Sequence, residues 1–234
     1  MEKEYAQSLL SKTKKDYNLI ARDFSRTRRH PWSEIRFLFD RYLKENERIL
    51  DLGCGNGRHL PFFKEKQVDY FGVDSSTALI KIAKNKYPEA RFLVGDGLNL
   101  SFPDNFFDKI YSIAVLHQIP SEELRNQLLE EIRRSLRHGG LLILTVWKFH
   151  RRREISLLLK YTILKIIGKS KLDWGDISVP WGNKTKRYYH YFFKKELENL
   201  IKEAGLKIIE SGVTKNLTGK RQNIYIVAQK PLKE

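Results

Sequence analysis

Arg48-Ile-Leu-Asp-Leu-Gly-Cys-Gly-Asn-Gly57 decides the reading of this chain. The first five residues are a short apolar run, and the next five alternate glycine with other residues before a helix-compatible stretch. Without Cβ atoms the glycines allow a tight turn and a close backbone approach to a ligand. A strand that ends in such a turn and leads into a helix is the opening unit of a doubly wound α/β sheet. Taken alone, the turn fits a structural corner, a dinucleotide site or another nucleoside ligand.

Working outward, further strand-like runs lie at residues 69–73, 91–94, 109–116, 141–146, 207–209 and 224–228. They are continuous rather than alternating, as strands buried on both faces are. Helical periodicity fills the gaps. Ser75 is the expected N-cap of a helix running to Tyr87, and Ser121 that of a helix that Gly139-Gly140 should stop. Lys194 to Ala204 reads as a further helix, closed by Gly205. Strand–helix alternation predicts a largely parallel sheet with helices on both faces. We read residues 1–234 as one domain, with a helical N-terminal segment (1–45) and an insertion (148–195) outside the alternation.

Acidic residues at the strand ends narrow the ligand. Asp51 lies two positions before Gly53-Cys-Gly55-Asn-Gly57. A pyrophosphate wants bare amides and a helix N-terminus, not a neighbouring carboxylate. The cationic amino and sulfonium groups of S-adenosyl-L-methionine suit one. Asp74, followed by Ser75, ends the second strand, where a carboxylate can accept both ribose hydroxyls. Asp96, followed by Gly97, ends the third and can accept from an adenine amino group. Together, in order, these acids point to S-adenosyl-L-methionine. Ala114, at the end of the fourth strand, completes the expected cofactor set.

The charge is lopsided. Lys and Arg number 44 against 28 Asp and Glu, a net of +16. Residues 148–195 hold 13 Lys or Arg against 3 Asp or Glu, leaving +10 in one segment. Trp174, Trp181, Tyr188, Tyr189 and Tyr191 are interleaved with these cations. Basic residues among aromatics suit phosphates and stacked bases. The single cysteine, Cys54, excludes an intramolecular disulfide, and the N-terminus has no apolar stretch of signal-peptide type, so a cytoplasmic location is expected. The six histidines show no metal-ligand spacing, so no metal is expected. The longest apolar segment, about residues 155–167, falls short of the roughly 20 residues of a membrane span.

The glycine turn and strand-end acids resemble the class I methyltransferases, over about Arg48 to Val146. That likeness implies a Rossmann-like, seven-stranded α/β sheet with its last strand antiparallel. More specific stretches are Asp23-Phe-Ser-Arg-Thr-Arg-Arg-His-Pro-Trp32, Ser112-Ile-Ala-Val-Leu-His117, Asp176-Ile-Ser-Val-Pro-Trp181 and Arg187-Tyr-Tyr-His190. They resemble the tRNA wobble-uridine methyltransferases, which esterify 5-carboxymethyluridine at position 34. This resemblance covers about Tyr17 to Lys230. It implies tRNA as substrate and a small zinc-ribbon activator protein pairing with the strand Arg91–Val94. Such a pairing would cover an otherwise bare apolar edge. DNA is not an expected partner. Two departures stand out. Family members usually carry two histidines after the fourth strand, and the second is Gln118 here. The basic helix from Arg151 to Gly168 is longer than expected.

A carboxylate nucleophile is already ionised at pH 7 and needs orientation, not a base. Arg28, Arg29 and His117 are the candidates for that role, with Lys or Tyr from 184–191 behind them. Two other classes compete. A methyltransferase for a quinone or lipid precursor would use the apolar face of 155–167 as a membrane-surface lid. A non-catalytic scaffold of the same fold would have no need of Asp51, Asp74 and Asp96.

Overall fold

The computed structural model describes residues 1–233. The N-terminal segment forms α1 (Lys3–Thr27), a 3-10 turn and α2 (Arg36–Tyr42). The alternating core follows: β1 (Arg48–Leu52), α3 (Leu60–Lys64), β2 (Asp69–Asp74), α4 (Thr77–Lys86), β3 (Arg91–Val94), β4 (Phe107–Ile113), α5 (Glu122–Ser135) and β5 (Leu136–Trp147). The insertion supplies α6 (Arg152–Ile166), β6 (Asp176–Trp181) and β7 (Thr185–His190), and the chain closes with α7 (Lys194–Glu203), β8 (Lys207–Lys215) and β9 (Gln222–Gln229). Seven strands form one sheet in the order β3-β2-β1-β4-β5-β9-β8. Only β9 runs against the others, pairing antiparallel with both β5 and β8. This is the expected sheet, with the last strand reversed.

The apolar runs are continuous because helices cover both faces. On one face Leu50, Ile110 and Leu144 pack with Leu128 and Ile132 of α5 and Leu197 and Ile201 of α7. On the other, Ile49, Tyr111 and Ile143 pack with Phe39 of α2, Phe63 of α3 and Ile80 of α4. Chain order reverses between β1 and β4, which both pair with neighbours in parallel. At this switch point the carboxyl ends of the strands leave a crevice.

Local expectations met mixed outcomes. Ser121 caps α5, its Oγ accepting from Leu124 N at 3.3 Å. The cap of α4 is Ser76 rather than Ser75: Ser76 Oγ accepts from Leu79 N at 3.2 Å. Ser75 is displaced because Asp74 Oδ1 accepts from Ser76 N at 2.8 Å and fixes the chain one residue later. Gly139-Gly140 does not stop α5. The helix ends at Ser135, β5 begins at Leu136, and the pairing with β4 shifts register between Phe107 and Lys109.

The insertion holds a hairpin as well as a helix. The β6 and β7 strands pair antiparallel from Asp176↔His190 to Trp181↔Thr185. Its base is built on buried Asp176, which accepts from Tyr188 Oη at 2.6 Å and faces His190 Nδ1 at 2.7 Å. Tyr188 and Tyr189 are buried, so they fill a core instead of meeting bases; Trp174 stays exposed. Helix α6 turns Leu157, Leu158 and Tyr161 toward this hairpin, whereas Ile155, Leu159, Ile163 and Ile166 face outward. Among the described residues, no helix is long and apolar enough to cross a membrane.

Alpha1 is locked to the hairpin. Thr185 Oγ1 donates to Asp16 Oδ1 at 2.6 Å, Lys12 Nζ reaches Asp16 Oδ2 at 2.6 Å and Lys186 O at 2.8 Å, and Lys184 pairs with Asp23.

Candidate active site

Two cavities meet above the switch point. The first, about 520 Å³, is lined by the glycine turn, the ends of β2, β3 and β4, and residues of α1. Its size suits a nucleoside-sized ligand. Gly53 turns the chain at φ +75°, and a Cβ there would sit 2.2 Å from Val115 Cγ2. Gly53 N donates to Val73 O at 2.7 Å, tying the turn to β2. Gly55 N donates at 2.9 Å to Asp74 Oδ2. The turn therefore presents bare backbone beside a carboxylate, and that carboxylate is Asp74 rather than Asp51.

Of the sequence-assigned cofactor residues, Gly53, Gly55, Asp74, Ser75, Asp96, Gly97 and Ala114 line this cavity. Asp51 and Gly57 are not among the lining residues. Asp51 is 2 % exposed and accepts from Tyr70 Oη at 2.9 Å. Burial pushes its carboxyl up to about 7, against the opposing pull of the Tyr70 hydrogen bond and Arg58. Asp74 is also raised by desolvation, partly offset by its two backbone amide donors, from Ser76 and Gly55. Both carboxyl groups have lost water, and among the described residues neither forms an ion pair with a cation. Apolar walls come from Leu79, Leu98 and Leu128.

The second cavity, about 560 Å³, opens between the end of α1, the residues after β5 and the β8–β9 turn. Its lining includes Arg29, Lys148, Arg151, Lys220 and Arg221, and one carboxylate, Glu154. Glu154 is turned back to the backbone, accepting from Arg151 N at 3.2 Å, and Arg221 is paired with Glu34 at 2.8 Å. Arg28 and Trp147 line both cavities. Arg28 is thus at the junction, Arg29 only in the second cavity.

His117 lines neither cavity. Its ring is fully buried in a cluster with Trp147 and Tyr189, at centroid distances of 5.1 and 5.3 Å, and both nitrogens lack a hydrogen-bond partner. Burial, reinforced by Arg187 and His190, lowers its pKa to about 3, so the ring is neutral. Gln118, where the second histidine was expected, does line the first cavity and donates to Ala114 O at 2.6 Å. The sequence reading missed Tyr17, Phe24, Arg58 and Trp147 as cavity walls. Tyr17 and Phe24 sit seven apart on α1, two helical turns, a spacing that marks one face.

A nucleoside cavity walled by strand-end acids at the switch point defines an S-adenosyl-L-methionine-dependent methyltransferase, and the comparisons agree. The family described as "Methyltransferase domain" matches residues 50–144. A SAM-dependent methyltransferase from Methanosarcina mazei superposes with a TM-score of 0.71 at 26% identity, over 84% of this chain and 98% of that one. A methyltransferase from Haloferax volcanii, solved in complex with the Trm112 methyltransferase activator, gives 0.70 at 19% identity, over 95% and 99%, and shows the shared fold. The tRNA (carboxymethyluridine(34)-5-O)-methyltransferase of Schizosaccharomyces pombe is 30% identical over 98% of this chain and 100% of its own length. The chain belongs to the tRNA (carboxymethyluridine(34)-5-O)-methyltransferase family, and its cofactor is S-adenosyl-L-methionine.

Proposed function

We propose that this enzyme methylates the carboxylate of 5-carboxymethyluridine at the wobble position of tRNA. The observation that carries the reading is Arg28: a cation on the wall shared by a cavity that holds the strand-end acids Asp74 and Asp96 and a cation-lined one. The first suits the cofactor and the second a polyanionic substrate with a carboxylate to deliver. A quinone or lipid precursor would have little use for Arg29, Lys148, Arg151 and Lys220 around the second cavity. The scaffold reading leaves the acid set unexplained.

In this reading Asp74 accepts from the ribose hydroxyls, Asp96 from the adenine amino group, and buried Asp51 balances the cofactor's positive end. When bound, the cofactor supplies a methyl group on a sulfonium. The chain's own work is to orient the nucleophile in line and exclude water. Arg28 holds the carboxylate at the junction. Because a charge-assisted pairing also damps a carboxylate's nucleophilicity, orientation is the gain. His117 is neutral and shielded, which supports a role in shaping the wall through Trp147 over any role as a base. Arg29, Lys148 and Arg151 take the flanking phosphates.

We further propose that a zinc-ribbon activator adds a strand to β3. This strand is the sheet's edge, with Leu93 44 % and Val94 49 % exposed. An apolar open edge is a template for strand addition.

The test uses labelled S-adenosyl-L-methionine and anticodon stem-loop RNA with or without 5-carboxymethyluridine, in the presence and absence of the activator. Alkali-labile label on the acid-bearing RNA alone is the expected result. Label absent from it under both conditions, with cofactor binding intact, would overturn the reading.

A further inference from the structure

Two guanidiniums share one indole. The guanidinium carbons of Arg28 and Arg187 lie 4.6 and 4.5 Å from the ring centroid of Trp181. Arg28 also sits 4.7 Å from Phe24, and Arg187 5.0 Å from Tyr189. Arg187 is 4 % exposed, donates through Nη1 to Tyr17 Oη at 3.2 Å, and leaves Nε without a partner. Arg28 donates its side-chain hydrogen bond to Thr27 Oγ1 at 2.8 Å. Among the described residues, neither arginine forms an ion pair with a carboxylate. Asp16, whose charge acts on Arg187, is hydrogen-bonded to Lys12 and Thr185.

Buried cations are normally paired, because an uncompensated charge in a low dielectric is costly. Aromatic faces offset part of that cost; burial and repulsion from Arg187 weaken the hold of Arg28 on its proton, whereas at Arg187 burial is outweighed by Tyr189, Tyr17 and Asp16, which strengthen its hold. An anion from outside would complete the arrangement at Arg28. Its position selects which anion. Arg28 opens at the junction of the two cavities, behind aromatic walls, whereas phosphates are met at the mouth by the lysines and arginines there. With those cations placed to take phosphates, Arg28 is left for a smaller anion, such as a carboxylate borne on a base.

We propose that Arg28, Trp181 and Arg187 form a carboxylate-selective subsite. Arg28 touches the substrate, and Arg187 is a positioning residue that acts through Trp181. Arg187 braces the indole on which Arg28 lies and adds a second positive charge behind the first. The site thereby distinguishes the acid from its uncharged amide. This inference rests on the proposed function.

The experiment compares two anticodon stem-loop RNAs of one sequence, one with 5-carboxymethyluridine and one with the neutral 5-carbamoylmethyluridine. Each is titrated into the protein saturated with S-adenosylhomocysteine. The wild type should favour the acid by about tenfold or more, the range of charge-assisted hydrogen bonds. R187Q should bring the ratio near one while affinity for the amide RNA and for S-adenosylhomocysteine stays unchanged. R187K should restore part of it, since it keeps the charge and loses the planar stack. W181F keeps both guanidiniums and should give an intermediate ratio; it carries the test should R187Q not fold. A wild type without preference, or variants that weaken both RNAs equally, would overturn the subsite. Esterification by the wild type reports separately: ester formation with an R187Q ratio unchanged retires the subsite alone, and acid preference without any ester retires the reaction instead.

Discussion

Tyr70 donates its phenolic hydrogen to Asp51 Oδ2 at 2.9 Å, two residues before the glycine turn begins. The bond does not outweigh burial, which holds the Asp51 carboxyl up at about 7. Cofactor binding brings positive charge and so selects the ionised form. Affinity for S-adenosyl-L-methionine should rise as pH climbs toward 7, by up to about tenfold per unit, and level off above it. The sign is opposite for the free protein. With a folded value above the unfolded one of 3.8, Asp51's contribution to stability is full below pH 4 and is lost as pH rises through 7. Calorimetric titration and thermal melts across pH 5–8.5 check both. D51N should flatten each profile, weaken the cofactor, and raise the melting temperature of the free protein above pH 7.

Gly53 has no room for a side chain. G53A would set a Cβ 2.2 Å from Val115 Cγ2 at a φ of +75°. We expect a loss of about 1–3 kcal/mol of stability together with loss of cofactor binding, read by thermal melting and titration. Retained affinity would mean that the turn is not the cofactor cradle.

The lock between α1 and the hairpin runs through Asp16, which is 6 % exposed. D16A strands Lys12 and Thr185 and should cost about 1–3 kcal/mol. Hydrogen exchange should quicken in α1 and in β7 together, while β1 and β4 keep their protection. The Michaelis constant for RNA should rise more than that for the cofactor.

Charge at the second cavity sets the salt response. The logarithm of RNA affinity should fall linearly with the logarithm of salt concentration. K148A or K220A should each reduce the slope by about 0.7 without changing preference among RNAs. A slope near zero for the wild type would point back to a small neutral substrate.

At the sheet edge, L93D should abolish capture of the activator and leave cofactor binding by the isolated protein intact. Leu93 is half exposed and does not line the cofactor cavity, unlike Val94 beside it. Continued capture would move the activator elsewhere.

The parts legible in the sequence are those whose physics is local. The apolar runs, the glycine turn and the acids at strand ends are each defined within a few residues, and the sheet order follows from the alternation they mark. Caps depend on one hydrogen bond, so Ser76 replaced Ser75 once Asp74 had claimed the adjacent amide. The hairpin of the insertion was hidden by composition: its aromatic and basic residues read as a nucleic-acid surface, yet Tyr188, Tyr189 and Arg187 are buried. His117 shows the limit most clearly. Its neutrality comes from burial against Trp147 and Tyr189, reinforced by Arg187 and His190, all far away along the chain. The Arg28–Trp181–Arg187 stack joins α1 to the insertion, and no spacing rule announces it.

The central claim is the reaction, and tRNA itself records it. Nucleosides from tRNA of cells lacking this gene are separated and weighed by mass spectrometry, before and after restoring the wild-type gene. In the deletion cells the methyl ester of 5-carboxymethyluridine should be missing and the free acid should accumulate, with both reversed on restoration. Unchanged ester in the deletion cells would contradict it.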